Sequence, residues 1–234
     1  MDLICYHSPS HEKLFFNFFC HTLGVEKKIN LVPLRGKQLC KSATYYEEGW
    51  FDAAAEKIES LKNYIKKYKN GEIFIFSDPD VIFLQPFYDR LIELFNPDLD
   101  MLLQNDSEGG FCTGFFIARK TDILVDIFEK VVLFVKENKV GDQKAFNTIV
   151  NRDELKSCDA KKLKKITVQI DLKLNFLPIE EFSNCRVYGV KTPENIPEFE
   201  IPTQPRVFHA NWCKGLENKY KLLNYVRNKS ENTY

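Results

Sequence analysis

At 234 residues, 44% of them hydrophobic, the chain can bury one sizeable core, and a single domain over residues 1–234 is the expectation. Lysine plus arginine matches aspartate plus glutamate at 33 each, which excludes a global field that would draw nucleic acid or an anionic membrane, so any ligand must be held locally. Seven cysteines without a CxxC pair, and no apolar leader behind Met1, predict reduced thiols in a cytoplasmic setting; the apolar stretch 14–25 is too short to span a bilayer.

In chain order, "MDLICYH" predicts a buried parallel strand, and Ser10 to Leu23 a helix with Ser10 as its cap. "INLVPLR" reads as a second strand, and "FDAAAEKIESLKNYIKKYK" as a helix that Gly71 is expected to end. "EIFIFS" predicts a strand buried on both faces, and "QPFYDRLIELF" a turn and a helix with Pro86 near its start. "DMLLQND" and "GFCTGFFIAR" read as further strands, and "TDILVDIFEKVVLFVKEN" as a long amphipathic helix capped at Thr121 or Asp122. The charged stretch 152–166 reads as a solvated connection, and residues 192–205 as a surface loop. "TVQIDLKLNFLPIEEF", "RVYGV" and "RVFHANW" read as short strands, and "GLENKYKLLNYVRN" as a closing helix. Alternation early and mixed strands late predict a three-layer α/β/α fold whose mixed central sheet is parallel in its first half.

The segment "IFIFSDPDVIF" sets Asp78 and Asp80 at the carboxyl end of a buried strand, the edge where open α/β sheets bind ligands. Uncompensated charge is costly there, and two carboxylates so close need a shared cation; a divalent metal bridging phosphates is the usual solution. Haloacid-dehalogenase-type phosphatases also place DxD after an apolar strand. Here the pair comes too late in the chain, Ile82 stands where that motif wants Thr or Val, and "GDQKAF" lacks a second carboxylate.

Five blocks in order, "ICYHS", "GWFDAAAEKI", "FIFSDPDVIFLQPF", "GFCTGFFIARKT" with "GDQKAFN", and "VFHANWCKGLENK", resemble the nucleotide-diphospho-sugar transferases of the GT-A glycosyltransferase fold over roughly residues 1 to 222. Small members of this kind are encoded by large DNA viruses and by microbes. The resemblance implies Mn2+ or Mg2+ held by Asp78, Asp80 and the distant His209, with Asp78 a ligand or a ribose contact. It implies that Asn211, Lys214 and Gly215 face the diphosphate, Lys214 with a cation and Gly215 with a backbone N–H. Tyr6, His7 and Ser8 are expected at the nucleotide, Lys57 either there or as a solvated helix lysine, and Asn105 and Asp106 at a sugar or in a turn. Asp142 and Gln143 match the acidic pair beneath the donor sugar, a position where Asp142 also suits a helix N-cap. Gly109, Gly110 and Gly114 offer close backbone approach. Cys112 and Thr113 are pocket candidates; a nucleophilic Cys112 would need a nearby His and Asn. Trp212 is expected to pack.

The expected activity is metal-dependent transfer of a sugar from a nucleotide-diphosphate donor, UDP-linked by preference, to a hydroxyl of a glycan, protein or small molecule. The resemblance favours retention of anomeric configuration; inversion would require a general base, for which Asp106 or Asp142 are candidates. The expected location is the cytoplasm, a host's if a virus encodes the chain. Two rivals come from other classes. A nucleotidyltransferase or pyrophosphorylase would want a Gly-rich basic phosphate loop, of which "HSPSHEK" is a poor version. A glycan-binding scaffold would not need Asp78, Asp80 and His209 intact.

Overall fold

The structure is a computed structural model that describes residues 1–106, 110–150, 171–186 and 205–231. Strand β1 (Asp2–His7) leads through a 3-10 turn (Pro9–His11) into a helical run: α1 (Glu12–Leu14), a π-helical segment (Phe15–Cys20) and α2 (His21–Leu23). Ser10 lies inside that turn and does not cap the run, because the chain already turns at Pro9, with Ser8 in the cap position. Strand β2 (Asn30–Arg35) carries Pro33, which an edge strand tolerates. Helix α3 (Trp50–Ile65) precedes β3 (Ile73–Ser77), β4 (Val81–Phe83) and α4 (Tyr88–Leu94). Helix α3 stops at Lys66 rather than at Gly71, whose φ of 94° instead serves the turn into β3. Then come β5 (Met101–Asn105), β6 (Phe111–Arg119), α5 (Asp122–Asn138), α6 (Asp142–Ile149), β7 (Leu174–Phe176), β8 (Phe182–Asn184), β9 (Val207–His209) and α7 (Leu216–Glu231). Thr121 caps α5 by accepting a hydrogen bond from the Leu124 amide at 3.1 Å. The stretch 152–166, Gly109, residues 192–204 and most of "RVYGV" lie outside the described residues.

Six strands form the central sheet in the order β2-β1-β3-β6-β5-β7. Strands β2, β1 and β3 are parallel, β6 runs antiparallel to both its neighbours, and β7 is parallel to β5. Alternate side chains serve opposite faces. Ile4, Phe74, Phe76, Leu103 and Phe116 pack with α3, α5 and α6, whereas Leu3, Cys5, Ile75, Leu102 and Ile117 pack with Phe15, Phe19, β4 and α4. This explains why "IFIF" has no polar member: both faces of β3 are covered.

A second sheet, which the sequence reading did not foresee, has the order β4-β9-β8, with α7 packed over Ile82 and Phe208 through Leu222, Leu223 and Val226. It is too short to show a period. Glu181, beside β8, ties it to α4. Arg90 Nη2 donates to Glu181 Oε1 at 2.9 Å, and Arg206 Nε to Oε2 at 2.9 Å. Burial works against the Glu181 carboxylate, but the two guanidiniums outweigh it and hold its pKa below the ordinary 4.5. A depressed folded pKa stabilises above the unfolded value and is lost as pH falls through the folded one. Glu181→Gln is therefore expected to lower Tm by a few degrees near neutral pH, about 1 kcal/mol. In parallel melts the deficit should fade below about pH 4; a deficit that persists there would refute the charge pairing.

Candidate functional site

Asp78 follows the last residue of β3, and Asp80 precedes the first residue of β4, so Pro79 bends the chain from one sheet to the other. The Asp78 amide donates to Gly114 O at 2.7 Å, and the Ala210 amide to Asp80 O at 2.9 Å. These bonds pin the turn to β6 on one side and to the end of β9 on the other. The register of β5 against β6 shifts between Leu103 and Gln104, so that Gln104 faces Cys112 while Leu103 faces Phe116. That irregularity brings Thr113 and Gly114 to the cleft.

His209, at the end of β9, completes a triad whose ligand atoms, with those of Asp78 and Asp80, all lie within 4.8 Å of one another. His209 Nε2 is 3.2 Å from Asp80 Oδ1 and 3.9 Å from Asp78 Oδ2. Its Nδ1 is 3.2 Å from Gln104 Oε1, and the Gln104 amide is oriented by donating from Nε2 to Ser183 O at 2.9 Å. Gln104 Oε1 therefore accepts from Nδ1–H, the tautomer that leaves Nε2 a lone pair aimed at two carboxylates. Acceptors that converge in this way require a cation between them, and one imidazole nitrogen with two carboxylates suits a hard or borderline divalent metal. Gly114 makes room for the triad, since a Cβ there would stand 2.0 Å from His209 Cε1 and 2.9 Å from Asp78 Oδ2.

Two ammoniums sit on these carboxylates. Lys57 Nζ donates to Asp78 Oδ1 at 3.0 Å and lies 2.9 Å from Asp142 Oδ2. Lys219 Nζ, from α7, donates to Asp80 Oδ2. Burial works against each charge, yet Asp142 and Asp78 raise the Lys57 pKa, and Asp80 raises that of Lys219. For Asp80 burial also opposes the charge, but Lys219 and His209 prevail and hold its pKa well below the usual range. Asp78 moves the other way: burial, with Asp80 nearby, outweighs Lys57 and raises it.

These groups line one cleft of about 540 Å³ that also takes in Tyr6, His7, Ser8, Gln143, Asn211, Lys214 and Gly215. Lys57 is thus buried and paired rather than a solvated helix lysine, because α3 turns that face toward the DxD strand. Asp142 is the first residue of α6 rather than its cap, a position Gly141 holds; its Oδ2 instead accepts from Thr113 Oγ1 at 3.0 Å. Asn105 and Asp106 are not among the cleft-lining residues. Asp106 lies behind the cleft, accepting from Gln143 Nε2 at 2.8 Å and from Arg186, and Asn105 O accepts from Asn184 Nδ2 at 2.7 Å. Tyr6 donates to Glu56 Oε2 at 2.7 Å, and His7 stacks on Phe15 with centroids 4.2 Å apart. The structure does place His209 and Asn211 near Cys112 Sγ, at 3.6 and 3.7 Å, yet burial raises that thiol pKa well above its ordinary value and keeps it protonated.

Sequence reasoning missed Lys219, His11 and Arg186. Residues 80 and 219 are remote in the chain, and a lysine early in a polar helix reads as solvated. His11 is buried beside Ser8, its Nδ1 3.0 Å from Ser8 Oγ; burial and the Lys219 charge lower its pKa to about 4. Also missed was an aromatic cluster signalled by "TYYEEGWF". Tyr45 lies 4.3 Å from both Tyr46 and Trp50, and 5.9 Å from Trp212. Trp212, expected to pack, is 42% exposed, with the Arg186 guanidinium 3.8 Å over its ring. Tyr46 and Trp212 both hold left-handed backbone, φ 66° and 57°, at a cost of about 1 kcal/mol each.

A family model described as nucleotide-diphospho-sugar transferase matches residues 64–223. No curated protein matches the chain. Among solved structures, the chain resembles a glycosyltransferase involved in glycosylation of the major capsid of PBCV-1, with a TM-score of 0.59, 12% identity, and coverage of 96% of this chain and 98% of that one. It also resembles the glycosyltransferase GlyE of Streptococcus pneumoniae TIGR4, with a TM-score of 0.56, 12% identity and coverage of 99% and 62%. A third is the galactosyltransferase LgtC, solved with donor and acceptor sugar analogs, with a TM-score of 0.53, 12% identity and full coverage of both chains, 100% each. At these identities the likeness establishes the fold, which is the GT-A architecture expected from the sequence.

Proposed function

This chain belongs to the nucleotide-diphospho-sugar transferase family, and on that premise we propose that it transfers a sugar from a UDP-linked donor to a hydroxyl of a glycan, protein or small molecule, with Mn2+ or Mg2+ as cofactor. The observation that carries the reading is the convergence of Asp78, Asp80 and His209 in a cleft that also holds Lys57, Lys214 and Lys219. A divalent ion bound there would neutralise charge on the departing diphosphate.

The rest is the work of the chain's own residues. Lys214 and the Gly215 amide, at the mouth of the cleft before α7, meet phosphate oxygens, and Tyr6, His7 and Ser8 receive the nucleoside. Asp142 and Gln143 orient the donor sugar, Asp142 held in place by Lys57 and Thr113, and Gln143 by Asp106. Asp106, sequestered behind Arg186, positions Gln143 and does not abstract a proton. Asp142, its Oδ2 taken by Lys57 and Thr113, is assigned to holding the sugar and not to proton abstraction, in keeping with retention over inversion. Among the described residues no helix is long and apolar enough to cross a membrane.

Calorimetric titration of UDP and of GDP, with Mn2+ and then with chelator, tests this. The expected result is UDP binding at micromolar to sub-millimolar Kd that chelator weakens at least about tenfold, with GDP weaker. Equal binding with and without metal would overturn the role of the triad.

A further inference from the structure

We propose that the rings of Tyr45, Tyr46, Trp50 and Trp212 form the acceptor subsite, and that its occupant is a pyranose ring of a carbohydrate. This rests on the sugar-transfer reading and adds the acceptor class to it. The four rings are contiguous, with Tyr46 5.3 Å from Trp50 in addition to the contacts already given, and all line the cleft. Tyr46 is 59% exposed and Tyr45 37%. Exposed aromatic faces within a cleft mark a surface awaiting an apolar partner. The backbone reinforces the point: Tyr46 and Trp212, two bulky residues, are both held in left-handed conformation where they line the cleft.

The occupant follows from what borders the rings. Trp50 packs against Gly141, the residue before Asp142, since a Cβ on Gly141 would stand 2.8 Å from Trp50 Cη2. Arg186 lies over Trp212 and is anchored by Asp106. Among the described residues Lys57 and Thr113 both meet Asp142 at Oδ2, which leaves Oδ1 for a ligand hydroxyl. The wall is therefore apolar on its face and has a carboxylate and a guanidinium at its rim. A pyranose has the complementary form, with a C–H face to stack and a rim of hydroxyls that donate to Asp142 and accept from Arg186. A nucleobase fits less well, because the rings adjoin Asp142, the residue assigned to the donor sugar, through Trp50 and Gly141, whereas Ser8 is bonded to His11.

The chain has two tryptophans, and both are in this wall, so intrinsic fluorescence reports on it directly. Methyl glycosides of glucose, galactose, mannose, fucose, xylose and N-acetylglucosamine are titrated into the full chain, with and without Mn2+ and UDP. UDP affinity is measured separately by calorimetry. The expected result is a saturable fluorescence change with at least one glycoside, weakened about fivefold or more by Tyr46→Ala while UDP affinity stays within about twofold. Tyr46 is exposed enough for that variant to fold, and Tyr45→Ala provides a second. No saturable change with any glycoside, or a loss of UDP affinity in place of glycoside affinity, overturns the proposal; the latter would make the wall a nucleobase seat. Failure of the sugar-donor reading shows differently, as absent UDP binding with glycoside binding intact.

Discussion

Asp80→Asn is expected to lower Mn2+ affinity by about a hundredfold or more and to abolish metal-dependent UDP binding. Asp80 is 4% exposed, and its two oxygens have different partners: Oδ1 faces His209 Nε2 and Oδ2 takes the Lys219 ammonium. The amide keeps the shape but removes the charge, and its NH2 takes the place of one of the two acceptor oxygens. Breaking a buried ion pair costs several kcal/mol; here the loss should be about 1–3, since Lys219 can turn toward the water of the cleft. A melt that falls by only a few degrees, beside a metal isotherm that disappears, is the expected pair of results. Unchanged Mn2+ affinity in a folded Asp80→Asn protein would remove this residue from the metal site.

The second large effect is expected from one methyl group. Gly114→Ala places a Cβ 2.0 Å from His209 Cε1 and 2.9 Å from Asp78 Oδ2, and the Gly114 carbonyl, which accepts from the Asp78 amide at 2.7 Å, resists retreat of the backbone. Overpacking of this kind costs about 1–3 kcal/mol, and the relief available is displacement of His209. Metal-dependent UDP binding should therefore fall about as far as in His209→Ala. The cause is checked by a double-mutant cycle. If the clash is with the imidazole, Gly114→Ala combined with His209→Ala should be more stable than the sum of the single losses predicts, by at least about 1 kcal/mol. Strict additivity would show that the methyl group acts elsewhere.

The central sheet was largely legible because both its faces are covered. Strands such as "ICYH" and "IFIFS" then read as unbroken apolar runs, and the helices between them show clean spacing. Asp78 and Asp80 were legible for the same reason, as charges where such a run ends. The second sheet was not. Strands of three residues carry no period, and β9 finds its partners β4 and β8 only through tertiary contact. Lys219 was missed, and Lys57 kept a solvated alternative, because helical lysines look solvated until the fold brings a carboxylate to them. Asp142 was placed within one residue, but Gly141 holds the cap position and frees the carboxylate for the cleft. Tyr45 and Tyr46 precede α3 outside any regular element, so their grouping with Trp212 depends on a contact across most of the chain.

The insertion of β9 between β4 and β8 has a consequence for how the protein is made. His209 and Lys219, the two groups that meet Asp80, come more than a hundred residues after it and are synthesised only once the central strands are complete. Until β9 and α7 are in place, Asp80 lacks both His209 and Lys219, while Lys57 is already available to Asp78. Five strands of the central sheet can form beforehand, because β1, β2, β3, β5 and β6 pair among themselves and all lie before Lys120. The carboxylate site is thus completed after the central sheet, by the same strand and helix that seal the third hydrophobic cluster.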